Sequence, residues 1–343
     1  MNLQDGYSPD YSAEFKEQII LNATSLEISS IVNISVQEVE IVTPARKANY
    51  DTEHILTIII IVLSLITAGF GLFYNSGGAP YNFINQYGDV VKLYGRGLYR
   101  HDSFFKAPVF RGTDCTIFFI VCPLLITALI QDIRLKTLKS RMSLMAFISC
   151  FMYYAASIAF GVTYNSLLFV YILLFAACFF GLIKGLMSID FKQVEKSMTN
   201  SLSYKGIYSF LIITGIALYA AWLPDIVTAL VAKRPLLLIE NYTTEITYVI
   251  DMGIIAPACF ICFYLLKQRK GLGFILLEIL LTLCIVIGIM LPVQTMFQIY
   301  EGIIIPLPAI ITKLGSFCIL ALFAFNFKVQ ALYNMADGFK HYT

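Results

Sequence analysis

Charge is what this chain has least of. Asp, Glu, Lys and Arg make up 13% of its 343 residues and hydrophobic residues 58%, with a mean hydropathy of +0.76. A soluble domain carries about 25% charged and 45–50% apolar residues. A chain this apolar cannot clothe its own core with polar surface, so lipid has to be part of its solvent. The formal net charge of +2 is too small to favour an acidic partner, and nucleic acid is excluded as one.

Histidine is nearly absent too. His54, His101 and His341 are the three in the chain; they are scattered and make no metal cluster, so neither a metal nor another cofactor is expected. G-x-S-x-G, H-E-x-x-H, the Walker A motif and a D-x-x-x-D pair are all missing, which leaves ATP hydrolysis and zinc proteolysis without a motif. The eight cysteines, Cys115, Cys122, Cys150, Cys178, Cys259, Cys262, Cys284 and Cys318, lie in or beside apolar stretches. An extracellular disulfide framework would sit in loops. Cys259 and Cys262 form a C-x-x-C inside an apolar run and read as small, soft core side chains. No cleavable signal peptide opens the sequence, because the first long apolar stretch begins only near Ile55.

Apolar length, by contrast, is plentiful. Eight runs approach the roughly 20 residues needed to cross a ~30 Å hydrocarbon core: Ile55–Tyr74, Cys115–Ile130, Ser143–Val162, Ser166–Leu186, Gly206–Leu223, Thr244–Leu266, Leu272–Leu291 and Leu307–Phe327. They define an all-α integral membrane protein with about eight transmembrane helices over residues 51–343, behind an acidic segment, residues 1–50. Arg46 and Lys47, then Arg134, Lys136, Lys139 and Arg141, then Lys184, Lys192, Lys196 and Lys205, then Lys267, Arg269 and Lys270, and finally Lys328 fall on one side when the spans alternate. The positive-inside rule therefore places both termini in the cytoplasm of a cell-membrane protein. Only the first loop, with five basic residues on the outer side, breaks the rule.

Residues 1–50 hold Asp5, Asp10, Glu14, Glu17, Glu27, Glu38 and Glu40 against little basic charge. They read as a mostly disordered acidic tail, with Ile31–Val42 suited to a short strand or to docking a protein partner. Sequons stand at Asn22, Asn33 and Asn241.

The exceptional segment is the outer loop, residues 75–113. Its aromatics and β-formers predict a folded cap: a strand over Asp89–Tyr94, a turn at Gly95-Arg96-Gly97 and a second strand over Leu98–Arg100. Asp102 would cap a short helix from Ser103, limited by Pro108 to about one turn. Thr113 or Asp114 would cap the second span. Arg111 and Asp114 suggest a local ion pair. Arg96, Arg100 and His101 would present donors to a small anionic ligand or a lipid head group, while His101 and Asp102 would be the acid–base groups of a membrane enzyme.

Inside the spans, Asp251 lies about 10 Å below the outer interface at 1.5 Å per residue, and Lys313 at nearly the same depth. A charge at mid-membrane costs on the order of 2.5–3.5 kcal/mol and marks a partner or a pathway. Aspartate is too short to snorkel, so it is protonated, paired or lined by water. An Asp251–Lys313 coupling pair follows as the expectation, with Thr244 and Tyr248 on the same helical face as Asp251. Pro257 is expected to kink this span. Glu278, near the inner end of the seventh span, reads as a structural partner or as part of the inner headgroup zone, Trp222 as an interface anchor, and Pro235–Ile239 as a short stretch along the interface. Asp225, Glu240, Glu245, Gln294, Gln298 and Glu301 add polarity at the outer ends. Three functions fit: a transporter-like permease or ligand-binding membrane protein with an outward-facing polar cavity, a non-catalytic subunit of a membrane complex, and a membrane enzyme acting on an outer-leaflet or lipid-linked substrate.

Overall fold

Prolines and short polar caps set where the helices start, widen and stop. The computed structural model describes residues 50–198 and 204–335. The acidic segment with its Ile31–Val42 strand, the sequons at Asn22 and Asn33, and His341 lie outside the described residues. In chain order the helices are α1 (Thr52–Phe73), α2 (Ala107–Leu135), α3 (Leu138–Gly161), α4 (Leu168–Ser188), the short α5 (Phe191–Ser197), α6 (Tyr204–Val231), α7 (Ile246–Lys267), α8 (Gly271–Tyr300) and α9 (Ile310–Asn334). All but α5 are long and apolar enough to cross a membrane. The protein is a multi-pass membrane protein, and its outward-facing Ile, Leu and Phe side chains meet lipid.

Helix α8 is the most enclosed, with α2, α3, α7 and α9 packed around it. Gly112 allows α2 its close approach, since a Cβ there would fall 2.5 Å from the Cα of Gln294. Gln294 Nε2 then donates to Thr113 Oγ1 at 2.7 Å. On the other flank α1 packs against α2 and α4. Thr137 and Ser140 form a reciprocal capping box that starts α3, directly after Lys136 closes α2 at φ 49°.

Two helices widen into π turns just ahead of a proline. In α2 the turn covers Ile117–Val121 before Pro123, and in α7 it covers Asp251–Ile255 before Pro257. A proline ring crowds the carbonyl four residues back and supplies no N–H, and one extra residue per turn relieves both problems. The kink expected at Pro257 takes this form. A third π turn, Ile310–Gly315, opens α9 after Pro308.

The second span is longer than its apolar run. It begins at Ala107 rather than Cys115 and ends at Leu135 rather than Ile130. Pro108 therefore starts this helix instead of limiting a separate one, and Thr113 and Asp114 lie inside it rather than capping it. The cap ahead of it also pairs differently from expectation. β1 (Tyr81–Ile84) and β2 (Val90–Leu93) run antiparallel with Tyr81 opposite Leu93. Leu98–Arg100 is a turn, because Gly95 at φ 79° and Gly97 at φ 64° carry the backbone through left-handed conformations. Tyr94, Leu98, Tyr99 and Ala107 form the cap's own buried cluster.

Candidate functional site

Of the polar residues expected at one end of the bundle, Glu240, Glu245, Gln298 and Glu301 reach the cap. Glu301, at the end of α8, binds Arg96, accepts a 2.7 Å hydrogen bond from Tyr94 OH, and pairs with Arg111 at 3.4 Å. Arg111 therefore pairs with Glu301 and not with Asp114. Lys106 pairs with Glu245, and Ser103 Oγ donates to Glu240. Gln298 Nε2 donates to the carbonyl of Phe105 at 3.1 Å. Burial lowers the Lys106 pKa to about 8, against the opposing pull of Glu240 and Asp102.

Of the four cap residues singled out in the sequence, Arg96 is engaged by Glu301. Arg100 Nε donates to His101 Nε2 at 3.1 Å, and this pair lies exposed with Tyr81 OH 3.4 Å from His101 Nδ1. Asp102 points the other way and is buried. Its Oδ1 accepts the backbone N–H of Thr163 at 2.8 Å and the hydroxyl of Tyr242 at 3.0 Å, so it holds the α3–α4 connection instead of capping a helix. Burial raises its pKa to about 7, although the Thr163 and Tyr242 hydrogen bonds and the nearby Lys106 favour the ionised form. Two open grooves of about 530 Å³ each border the cap. Neither is lined by any of these four residues. Pro235, Leu236 and Ile239 line both, and the segment Pro235–Ile239 forms no helix.

Within the bundle, Asp251 is 4% exposed and opens the α7 π turn. Its Oδ2 accepts the indole N–H of Trp222 at 2.9 Å and its Oδ1 the hydroxyl of Tyr153 at 3.2 Å. Trp222, expected as an interface anchor, is thus a hydrogen-bond donor to a buried carboxyl. Tyr248 stacks on it with ring centroids 4.7 Å apart and donates to Asp225 at 2.8 Å. The structure joins Tyr248 and Asp251 through Trp222. The Lys313 side chain lies outside the described residues.

A second buried carboxyl was hidden in the sequence. Asp114 is 0% exposed, with Tyr99 OH at 2.6 Å from Oδ2 and Tyr154 OH at 2.7 Å from Oδ1. Gly71 of α1 makes room for it, since a Cβ there would stand 1.8 Å from Oδ2. Its apolar surroundings in the sequence were the available signal, but its position at the edge of the run suggested a helix cap.

At the far ends of α1 to α4, Arg141 is 2% exposed. It binds Glu53, and its Nη2 lies 3.1 Å from Asp132 Oδ2. His54 Nε2 meets the same oxygen at 2.9 Å, Ser140 Oγ donates to Asp132 at 3.2 Å and Ser188 Oγ to Glu53 at 3.4 Å. In the sequence Arg141 looked like a loop cation. Glu278 binds Lys328, which also donates to Thr282 Oγ1 at 2.6 Å, as befits a structural partner. Among the described residues no group of His, Cys, Asp and Glu is arranged to hold a metal.

Fold and site together define a helical multi-pass membrane protein with carboxyl groups sealed inside its bundle. Beyond that class, comparison with protein-family models, with curated proteins and with solved structures finds no match.

Proposed function

We propose that this protein is a proton-coupled membrane carrier in which Asp251 is the group that takes up and releases the proton. One observation carries the reading: a sealed carboxyl on a π turn whose described hydrogen-bond donors, Trp222 and Tyr153, are both neutral. A neutral donor pair tolerates either protonation state, whereas a matched cation would hold the carboxylate ionised. Buried acids inside spans recur in proton relays, and π turns recur at functional sites. The exposed Arg100–His101 pair favours an anionic substrate at the cap, and the cap faces away from the cytoplasm.

Trp222 is the single tryptophan of the chain, so its fluorescence reports directly on Asp251. In lipid nanodiscs the wild-type emission should titrate with pH and the Asp251→Asn emission should stay flat. Vesicles containing a trapped pH dye should show proton flux on addition of one class among organic acids, amino acids, sugars and nucleosides, and the flux should vanish in Asp251→Asn. Emission that ignores pH, or equal flux in the two proteins, sinks the reading.

A further inference from the structure

Three buried polar atoms under the cap lack a well-formed hydrogen bond among the described residues: Asp102 Oδ2, Thr163 Oγ1, whose side chain lies beside Asp102, and Tyr171 Oη, which lies beside Asn165. They belong to one neighbourhood. Thr163 donates its N–H to Asp102, and Tyr171 lies within electrostatic reach of both Asp102 and Asp114. Asp114 sits about two turns into α2 and is held by Tyr99 from the cap and Tyr154 from α3. An orphaned buried polar atom costs on the order of 1–3 kcal/mol, a cost that a water bonded to two or more such atoms would remove.

We propose that Asp114 is a second proton-binding station, reached from the cap surface through water held by Asp102, Thr163 and Tyr171. This deepens the carrier reading and rests on it. A hydronium at the cap gives its proton to Asp102 Oδ2: one O–H bond forms there as another breaks, leaving water. Asp102 then passes a proton through the water and the Tyr171 hydroxyl to the Asp114 carboxylate, and returns to its ionised form. The groups facing Asp102 suit that exchange. Lys106 pairs with Glu245 and acts on Asp102 only through space, beside Glu240, while Tyr242, Thr163 and Tyr171 are neutral. The same holds for Asp114, which faces Tyr99, Tyr154, Tyr171 and the thiol of Cys115, with Arg111 occupied by Glu301.

Infrared difference spectra of the full chain in lipid nanodiscs, taken between acid and alkaline pH, test this. The wild type should show the carbonyl stretches of protonated carboxyls, one lost in Asp114→Asn and another in Asp102→Asn. In D2O the Asp114 band should shift promptly in the wild type and slowly in Tyr171→Phe. If Asp114→Asn does not fold, Tyr154→Phe replaces it and should move the same band by removing one hydrogen bond. A spectrum unchanged by these substitutions, or an Asp114 band that never shifts in D2O, overturns the proposal. The Trp222 titration is the independent control. If it fails while the Asp114 band is present, the Asp251 reading falls and takes the station's carrier role with it, leaving Asp114 as a protonatable buried carboxyl; the reverse result removes only the station.

Discussion

The buried carboxyls of this protein fall into two sets. Glu53, Asp132, Glu278 and Glu301 each face a guanidinium or ammonium group, near the helix ends. Asp102, Asp114 and Asp251 receive hydrogen bonds from tyrosine, tryptophan or backbone N–H. In the first set charge is matched by charge, and the arrangement fastens helix to helix or cap to bundle. Losing one partner strands the other in a low-dielectric place. In the second set neutral donors favour the ionised form less strongly than a matched cation would. The proposed proton exchange is confined to this second set.

The largest effect expected from this contrast is at Arg141. Arg141→Met leaves Glu53 and Asp132 buried without their guanidinium and should cost about 3–5 kcal/mol. Thermal unfolding in detergent should show it, and Arg141→Lys should restore little, because one ammonium cannot span two carboxylates as a planar fork does. A variant as stable as the wild type would erase the distinction between the two sets.

Asp102 offers a pH test of the second set. Its carboxyl titrates near 4 when unfolded and at about 7 in the fold, where burial raises it. Between those values the folded protein holds a proton that the unfolded chain has released. Stability should therefore fall as pH rises from about 4 to 7, by at most roughly 4 kcal/mol, and level off above. Lys106, lowered to about 8, acts only at higher pH. Unfolding measured across this range should lose that slope in Asp102→Asn.

The smallest of the three effects is steric. Gly71→Ala places a methyl 1.8 Å from Asp114 Oδ2 and should cost about 1–3 kcal/mol in melting experiments. Asp114→Ala in the same chain should relieve much of that cost. If it does not, Gly71 serves helix packing rather than the carboxyl.

The span count was legible because hydropathy integrates over whole helices, and Pro257 announced its distortion through a covalent constraint. Asp251 was legible as a problem, since a short acid deep in an apolar run demands a partner. The partners were not legible. Tyr153, Tyr154 and Tyr99 look in sequence like any of the 21 tyrosines, and direction around a helix axis decides whether a phenol meets lipid or a carboxyl. Arg141 was misplaced for a related reason: a charge next to a loop can be carried into the bundle when two acids from other helices meet it. The hairpin was mispaired because the glycines marked a turn without revealing which strand lay beside it.

By itself the sequence determined the class of the protein. With so little charge and eight long apolar runs, the backbone can satisfy its hydrogen bonds in lipid only as helices. Tertiary structure alone decided which carboxyls met a cation and which met a neutral donor. That outcome depends on how helices distant in sequence rotate and pack against one another.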